Sequence, residues 1–349
     1  MLTERLTLSG FTVFEDVTFE FVPGVNVLLG ANGSGKTHAM KVLYAMLRAY
    51  EGRQTSSLEQ AGTLQAKLAG VFKPDDNSVG RLVRRVRGKG VADVSARIDG
   101  RAYGFTLHQT AQEPVRGVRG GRSTTPSSIF LPSREVLAMF EGLAALYAAR
   151  ELAVDETYAD AAVALDLPPL RGPRPGAIGR VARDLEVAIG ARVIRDGPRF
   201  YLRESGTGAK IEAHLAAEGH RKVANILQLI TNGVLRDRAV MFWDEPEANL
   251  NPILSQTVVD AIYSLAGAGV QVVLATHDYL IAHRLSLLAE EHKDTTPIRF
   301  FALARGERGA ANVNTASRLP HLEDNLLIEA IRQHNRFERT VSLRRMNDE

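Results

Sequence analysis

Residues Gly30-Ala31-Asn32-Gly33-Ser34-Gly35-Lys36-Thr37 carry the spacing G-x-x-x-x-G-K-[ST], the pattern of a loop that wraps phosphate groups. Its glycines let backbone N–H groups converge on an anion at a helix N-terminus, where unpaired donors and the helix dipole already favour negative charge. In that arrangement Lys36 reaches the β- and γ-phosphates and the Thr37 hydroxyl ligates Mg²⁺. Far downstream, Ala239-Val240-Met241-Phe242-Trp243-Asp244-Glu245 reads as an apolar strand ending in two carboxylates. Asp244 would balance the charge of Mg²⁺ while Glu245 acts as general base on an attacking water, the two tasks of a nucleoside triphosphate hydrolase. The implied cofactors are ATP and Mg²⁺. His277, in Ala275-Thr276-His277-Asp278, ends another apolar strand and taken alone reads equally as a surface histidine.

These residues need strands and helices to hold them. Residues 5–8, Val17–Val22 and Val25–Leu29 read as strands, with Pro23-Gly24 as a turn, and a helix runs from Lys36 to about Tyr50. Residues 52–80 are ambiguous, with a helical pattern around Leu64 and Leu68. The alternation over 91–107 about Asp99-Gly100 is a β-hairpin, residues 114–127 form a basic loop, and Ser128–Leu131 is a short buried strand. Helical patterning spans Glu135 to about Leu165, and the prolines of 168–176 cannot be helix. A helix at 179–189, a hairpin at 192–203 and a helix at 219–231 follow. Strands at 240–243, 270–275 and 298–304 alternate with helices at 252–266 and 279–290, and a terminal helix covers 323–337. Short apolar strands alternating with helices predict an α/β core with a mostly parallel sheet. The expected organisation is a discontinuous core from 1–50 and 206–349, an antiparallel β-subdomain at 51–135 and a helical insertion with linker at 136–205.

The run Asp244-Glu245-Pro246-Glu247-Ala248-Asn249-Leu250-Asn251-Pro252, followed by Ala275-Thr276-His277-Asp278, resembles the ABC-type ATPases, and within them the chromosome-maintenance (SMC), RecF and OLD-like branch. The resemblance covers roughly 1–50 and 205–305. It implies a P-loop NTPase head in which His277 contacts the γ-phosphate and Asn249-Leu250-Asn251 lies across a dimer interface. It also implies a signature element that meets ATP held by a second copy. The matching segment is Leu215–Lys222, where Gly219 and a helix N-terminus supply amides. Here Ala217 replaces the usual serine and His220 replaces glutamine or glutamate, which puts trans-activation in doubt. Ser133 or Glu135 stands where a metal-sensing loop is expected and reads equally as a helix cap. Phe11 is a candidate to stack on adenine, or a core residue between strands.

Composition narrows the function classes. The 349 residues suffice for about two domains. Zero cysteines exclude a disulfide framework, a cysteine nucleophile and thiolate metal sites. No apolar run approaches the roughly 20 residues of a membrane span, and the expected location is the cytoplasm. Between 81 and 122 ten basic residues face three acidic ones, a local +7 against +3 for the chain. That segment is either a nucleic-acid phosphate track or a solvated sheet face. The expectation is an ATP-sandwiched homodimer that passes its nucleotide state to nucleic acid or to a separate effector, a nuclease or toxin, as in anti-phage defence. Little room after residue 304 remains for a nuclease of its own. The alternatives are a nucleotide-gated scaffold with little hydrolysis, suggested by Ala217, and a transporter energy-coupling subunit, against which the signature and the basic hairpin stand.

Overall fold

The computed structural model describes residues 2–51, 56–85, 90–110, 114–120, 126–149, 152–172, 176–291, 295–306 and 309–323. The chain starts with a hairpin, β1 (Thr3–Phe11) and β2 (Phe14–Glu20), then β3 (Val25–Gly30), α1 (Lys36–Glu51) and α2 (Ser57–Phe72). A meander of β4 (Val91–Ile98), β5 (Arg101–His108) and β6 (Val115–Arg119) follows, and β7 (Ser128–Leu131) leads to α3 (Leu143–Ala148), α4 (Glu156–Asp166) and α5 (Gly176–Ile189). A small sheet of β8 (Ala191–Asp196), β9 (Arg199–Glu204) and β10 (Lys210–Glu212) precedes α6 (Glu218–Thr231). Next come β11 (Val240–Asp244), α7 (Pro252–Gly267), β12 (Gln271–Thr276), α8 (Tyr279–Glu291), β13 (Ile298–Arg305) and β14 (Ala311–Ala316).

The central sheet runs β14-β13-β3-β12-β11-β7 and is parallel apart from β14. Both faces are covered, which explains why its strands are continuous apolar runs. Val27, Trp243, Leu274 and Phe300 point into one core with α5, α6 and α7. Leu28, Phe242, Val273 and Phe301 point into a second core with α1 and the antiparallel sheet. That second sheet has the order β2-β1-β4-β5-β6. Gln271 joins the two sheets: its side chain accepts from Thr3 N at 2.8 Å and donates to Thr3 O and Val22 O at 2.8 Å each. Buried amide groups satisfied on both sides fix the relative position of the sheets.

Several elements differ from the sequence expectation for identifiable reasons. The hairpin β1–β2, read with the core in 1–50, joins β4 through six residue pairs such as Leu6↔Ala96 and Leu8↔Val94, a long-range register no local pattern reveals. The basic loop 114–127 contains β6, because the free edge of β5 pairs with it at Leu107↔Val115 and Thr106↔Arg116. The ambiguous stretch 52–80 contains α2, started by a Ser56/Glu59 capping box and ended at Lys73 in the left-handed region, φ 48°. The helix read over 135–165 is broken. Gly142 at φ 76° ends its first turn, and Asp155 caps α4 anew by accepting from Thr157 N. An edge strand, β14, follows β13 where none was expected. The terminal helix 323–337 lies outside the described residues apart from Glu323. Among the described residues no helix is long and apolar enough to cross a membrane.

Candidate functional site

The turn from β3 into α1 is built on glycines that have no substitute. At Gly30, φ 154°, a Cβ would lie 2.3 Å from the Leu303 carbonyl oxygen, and at Gly35, φ 104°, it would lie 2.6 Å from Val13 Cγ2. Between them Ala31, Asn32 and Gly33 form an exposed crest, and Ser34 turns inward, where its hydroxyl is buried without a partner. Lys36 is buried, and its Nζ donates to Gly30 O at 2.7 Å and Ala31 O at 3.1 Å. Burial pushes its pKa down, while Asp244, Glu245 and Glu247 push it up. An ammonium held by loop carbonyls among three carboxylates is a cation poised for an anion.

Because β3, β12 and β11 are neighbours, their carboxyl ends open into one crevice, where α/β sheets bind ligands. Thr37 Oγ1 donates to both Asp244 carboxylate oxygens at 3.1 Å. Burial, with the charge of Glu245, raises the Asp244 pKa to about 6 against the Thr37 hydrogen bond and the charges of Lys41 and Lys36. A carboxylate kept out of water beside a hydroxyl is a hard oxygen donor set of the type Mg²⁺ takes together with phosphate oxygens. The residues present therefore fit a magnesium nucleotide: Thr37 and Asp244 would hold the ion, which supplies charge neutralisation between phosphate oxygens.

Glu245 adopts φ 49°, a left-handed conformation that costs a non-glycine residue about 1–3 kcal/mol. Its peptide is fixed on both sides. The N–H donates to Ala275 O at 2.9 Å, and the carbonyl accepts from Ala248 N at 3.2 Å and from Lys222 Nζ at 3.1 Å. His277 Nδ1 stands 3.5 Å from both Glu245 Oε1 and Glu247 Oε1. Glu247 Oε1 also accepts from Thr276 Oγ1 at 2.7 Å and from His277 N at 3.2 Å. The end of β12 is thereby tied to the turn after β11.

Gly219 and Asn251 are brought to each other's segments. A Cβ on Gly219 would meet Leu254 Cδ2 at 2.9 Å and Leu250 Cδ2 at 3.2 Å, so glycine permits α6 to start against the 249–254 turn. Asn249 Nδ2 donates to Glu218 Oε1 at 2.8 Å, and Asn251 caps α7 by accepting from Leu254 N at 2.9 Å.

Phe11 is a correction. It is fully buried, packs edge-on against Phe72 with ring centroids 5.7 Å apart and offers no face to a base. The inward alternation of Leu6, Leu8 and Phe11 on β1 places it in the core. Val13, two residues on, is the side chain beside the phosphate loop. Glu135 is likewise engaged: its carboxylate accepts from Arg221 Nε at 2.6 Å and from Ala138 N at 3.1 Å, and no helix capped by Ser133 begins there, since the turn Leu137–Met139 starts at Val136 without a side-chain cap. In the basic segment Arg119 pairs with Asp93 at 2.9 Å, Arg81 with Asp75 at 3.2 Å, and Arg84 donates to Val13 O and Gly309 O. Arg87, Lys89 and Arg122 lie outside the described residues.

Three participants were not singled out from sequence. Glu247 was quoted only as part of a run. Arg305, at the end of β13, donates to Gly33 O at 3.0 Å on the loop crest. Lys222 carried its own signal, a cation on the inward face of a helix at the spacing of Gly219, Val223 and Ile226.

A family model described as "AAA domain, putative AbiEii toxin, Type IV TA system" matches residues 25–282. The DNA replication and repair protein RecF of Limosilactobacillus fermentum is 33% identical over 87 residues, 25% of this chain and 23% of that protein. RecF of Ligilactobacillus salivarius is 39% identical over 59 residues, 17% of this chain and 16% of that protein. The matched stretches thus span less than a quarter of these curated relatives. Among solved structures, an SMC head bound to the C-terminal winged-helix domain of ScpA superposes with a TM-score of 0.56 at 13% identity, covering 90% of this chain and 98% of that one. The SMC head with an extended coiled coil, bound to the C-terminal domain of ScpA derived from Pyrococcus furiosus, gives 0.55 at 13% identity, with 97% and 99% covered. At that identity the likeness is one of fold.

Proposed function

This chain belongs to the AAA-domain family and has the fold of a P-loop ATPase of the SMC/RecF-like branch, and from that premise we propose that it hydrolyses ATP slowly as an ATP-dependent homodimer that signals to a separate effector protein. The observation that carries the reading is the juncture of Thr37 with Asp244 across β3 and β11, with Glu245 and His277 3.5 Å apart beside it. Lys36 and the loop amides bind the triphosphate, and Thr37 and Asp244 hold the magnesium. Glu245 takes a proton from the attacking water and His277 faces the γ-phosphate. The second copy brings Gly219 and the helix start of α6, with Asn251 at the interface. In this reading residues 1–50 and 206–349 provide the ATPase core, and the insertion 136–205 provides the docking surface.

Partner coupling is supported by the SMC head structures, in which ScpA domains are bound to the same fold. A role in prokaryotic defence is supported by the toxin and type IV TA wording of the family description. The low-hydrolysis scaffold keeps one observation in its favour. Ala217, at the N-cap of α6, offers no side-chain hydrogen bond where a serine hydroxyl would.

Glu245→Gln separates these readings. It should leave ATP affinity intact, slow turnover by about 10²-fold or more, and accumulate an ATP-dependent dimer in light scattering with ATP and Mg²⁺. A monomer at every ATP concentration would count against the sandwich, and wild-type turnover indistinguishable from the variant's would favour the scaffold.

A further inference from the structure

Lys222 is 2% exposed on a buried helix face, among Gly219, Val223, Asn225 and Ile226. A hydrocarbon side chain there would avoid the cost of dehydrating an ammonium. Burial accordingly pushes the Lys222 pKa down, and four carboxylates from three segments oppose that: Glu247 most strongly, then Glu218, Glu245 and Glu135. Glu247 is itself mostly buried, with one oxygen engaged by Thr276 and His277 and Oε2 without a hydrogen-bond partner. The hydrogen bond Lys222 makes goes to a backbone oxygen, the carbonyl of Glu245, at 3.1 Å.

We propose that Lys222 is a positioning residue for hydrolysis: it holds the Glu245 peptide in its left-handed conformation and thereby aims the Glu245 carboxylate, linking that aim to helix α6. The inference rests on Glu245 being the general base. Glu245 sits at φ 49°, a region that an L-residue leaves unless its surroundings fix it. The Ala275 carbonyl fixes the N–H side of that residue, and Lys222 fixes the carbonyl side together with Ala248. Without the ammonium the Glu245 carbonyl keeps only the 3.2 Å bond from Ala248 N, the left-handed conformation is held less firmly, and the carboxylate drifts from the line of the attacking water. Lys222 lies one turn after Glu218, whose carboxylate accepts from Asn249 in the turn that follows Glu245. A shift at the start of α6 therefore reaches Glu245 through two separate bonds.

The test measures ATP turnover, KM and thermal midpoint of the full chain for wild type, Lys222→Met, Lys222→Arg and the pair Lys222→Met with Glu247→Gln. Lys222→Met should lower kcat about 10- to 100-fold with KM unchanged, and should lower the midpoint because Glu247 loses its opposing charge. Lys222→Arg keeps a donor and should recover most of kcat. In the double variant the buried charges cancel, so the midpoint should return towards wild type while kcat stays low. If kcat returns together with the midpoint, Lys222 is only a counter-charge and the proposal falls. It falls equally if Lys222→Met turns over normally. Should Lys222→Met fail to fold, the double and arginine variants carry the same test. Wild type that binds ATP and turns none over would remove the ATPase reading and this proposal with it. A normally active wild type alongside unaffected variants would remove this proposal alone.

Discussion

At the carboxyl edge of the central sheet, Lys36, Asp244, Glu247 and Lys222 are shielded from water and act on one another across three segments of chain. On the outer face of the antiparallel sheet, Arg5 pairs with Glu20 and Arg119 with Asp93, each side chain about half exposed. In the first set burial pushes the pKa of Lys36 and Lys222 down and raises that of Asp244 to about 6. The second consists of solvent-screened pairs of the type worth about 0–1 kcal/mol. What differs is whether the strands converge on a crevice or lie flat under solvent, and chemistry follows convergence.

The largest expected effect breaks the first region. Lys36→Ala removes the loop cation that sits among Asp244, Glu245 and Glu247, so ATP binding should vanish in calorimetry while circular dichroism shows a folded chain. Unchanged affinity would remove the phosphate-loop assignment and leave the two regions alike.

Phe11→Ala tests the boundary between the regions, because Phe11 belongs to the antiparallel sheet yet lies in the core it shares with α1. Truncating a fully buried phenylalanine should cost about 3–5 kcal/mol of stability, read as a lower denaturation midpoint. ATP affinity, measured where the variant is folded, should be unchanged, since the ring edge is spent on Phe72. A loss of affinity without loss of stability would return Phe11 to the base site.

These contrasts show which parts of the molecule are legible in sequence. The loop 30–37 and the strands β3, β11, β12 and β13 are, because a parallel strand buried on both faces is a run of apolar residues and its terminal turn is local. Glycine is obligatory at Gly30 and Gly35, so the loop announces itself. The pairing of β1 with β4 is not legible, because register between segments some 90 residues apart depends on packing that neither strand encodes alone. Edge strands such as β6 and β14 carry too few apolar residues to stand out. In the site, Asp244 and Glu245 follow from a strand end, whereas what Lys222 and Glu247 act on requires knowing that α6 crosses the turn after β11. The charge tally over 81–122 gives a sum without partners for the same reason: strand register sets Arg119 beside Asp93, 26 residues away.

The smallest expected effect concerns that tally. A nucleic-acid track would release counterions in proportion to the phosphates it neutralises, and each duplex phosphate contact contributes about 0.9 to the slope of log affinity against log salt. Arg116 and Arg119 are exposed on β6, and if each neutralised one phosphate, reversing them together would lower the slope by about 1.8. Arg119 is already held by both oxygens of Asp93, at 2.9 and 3.1 Å. It must give up that pair to reach a phosphate, and the exchange of one anion for another releases little. Arg116→Glu with Arg119→Glu should therefore change the slope for duplex DNA or RNA by no more than about 0.9, with ATP turnover unaltered because neither residue touches the crevice. A fall near the full value would mean that the Asp93 pair opens on binding, and the outer face would then join the carboxyl edge as a working surface. Asp93→Ala sharpens the outcome. If the pair is what keeps Arg119 from phosphate, freeing it should steepen the slope, and an unchanged slope would leave the sheet face as solvated surface.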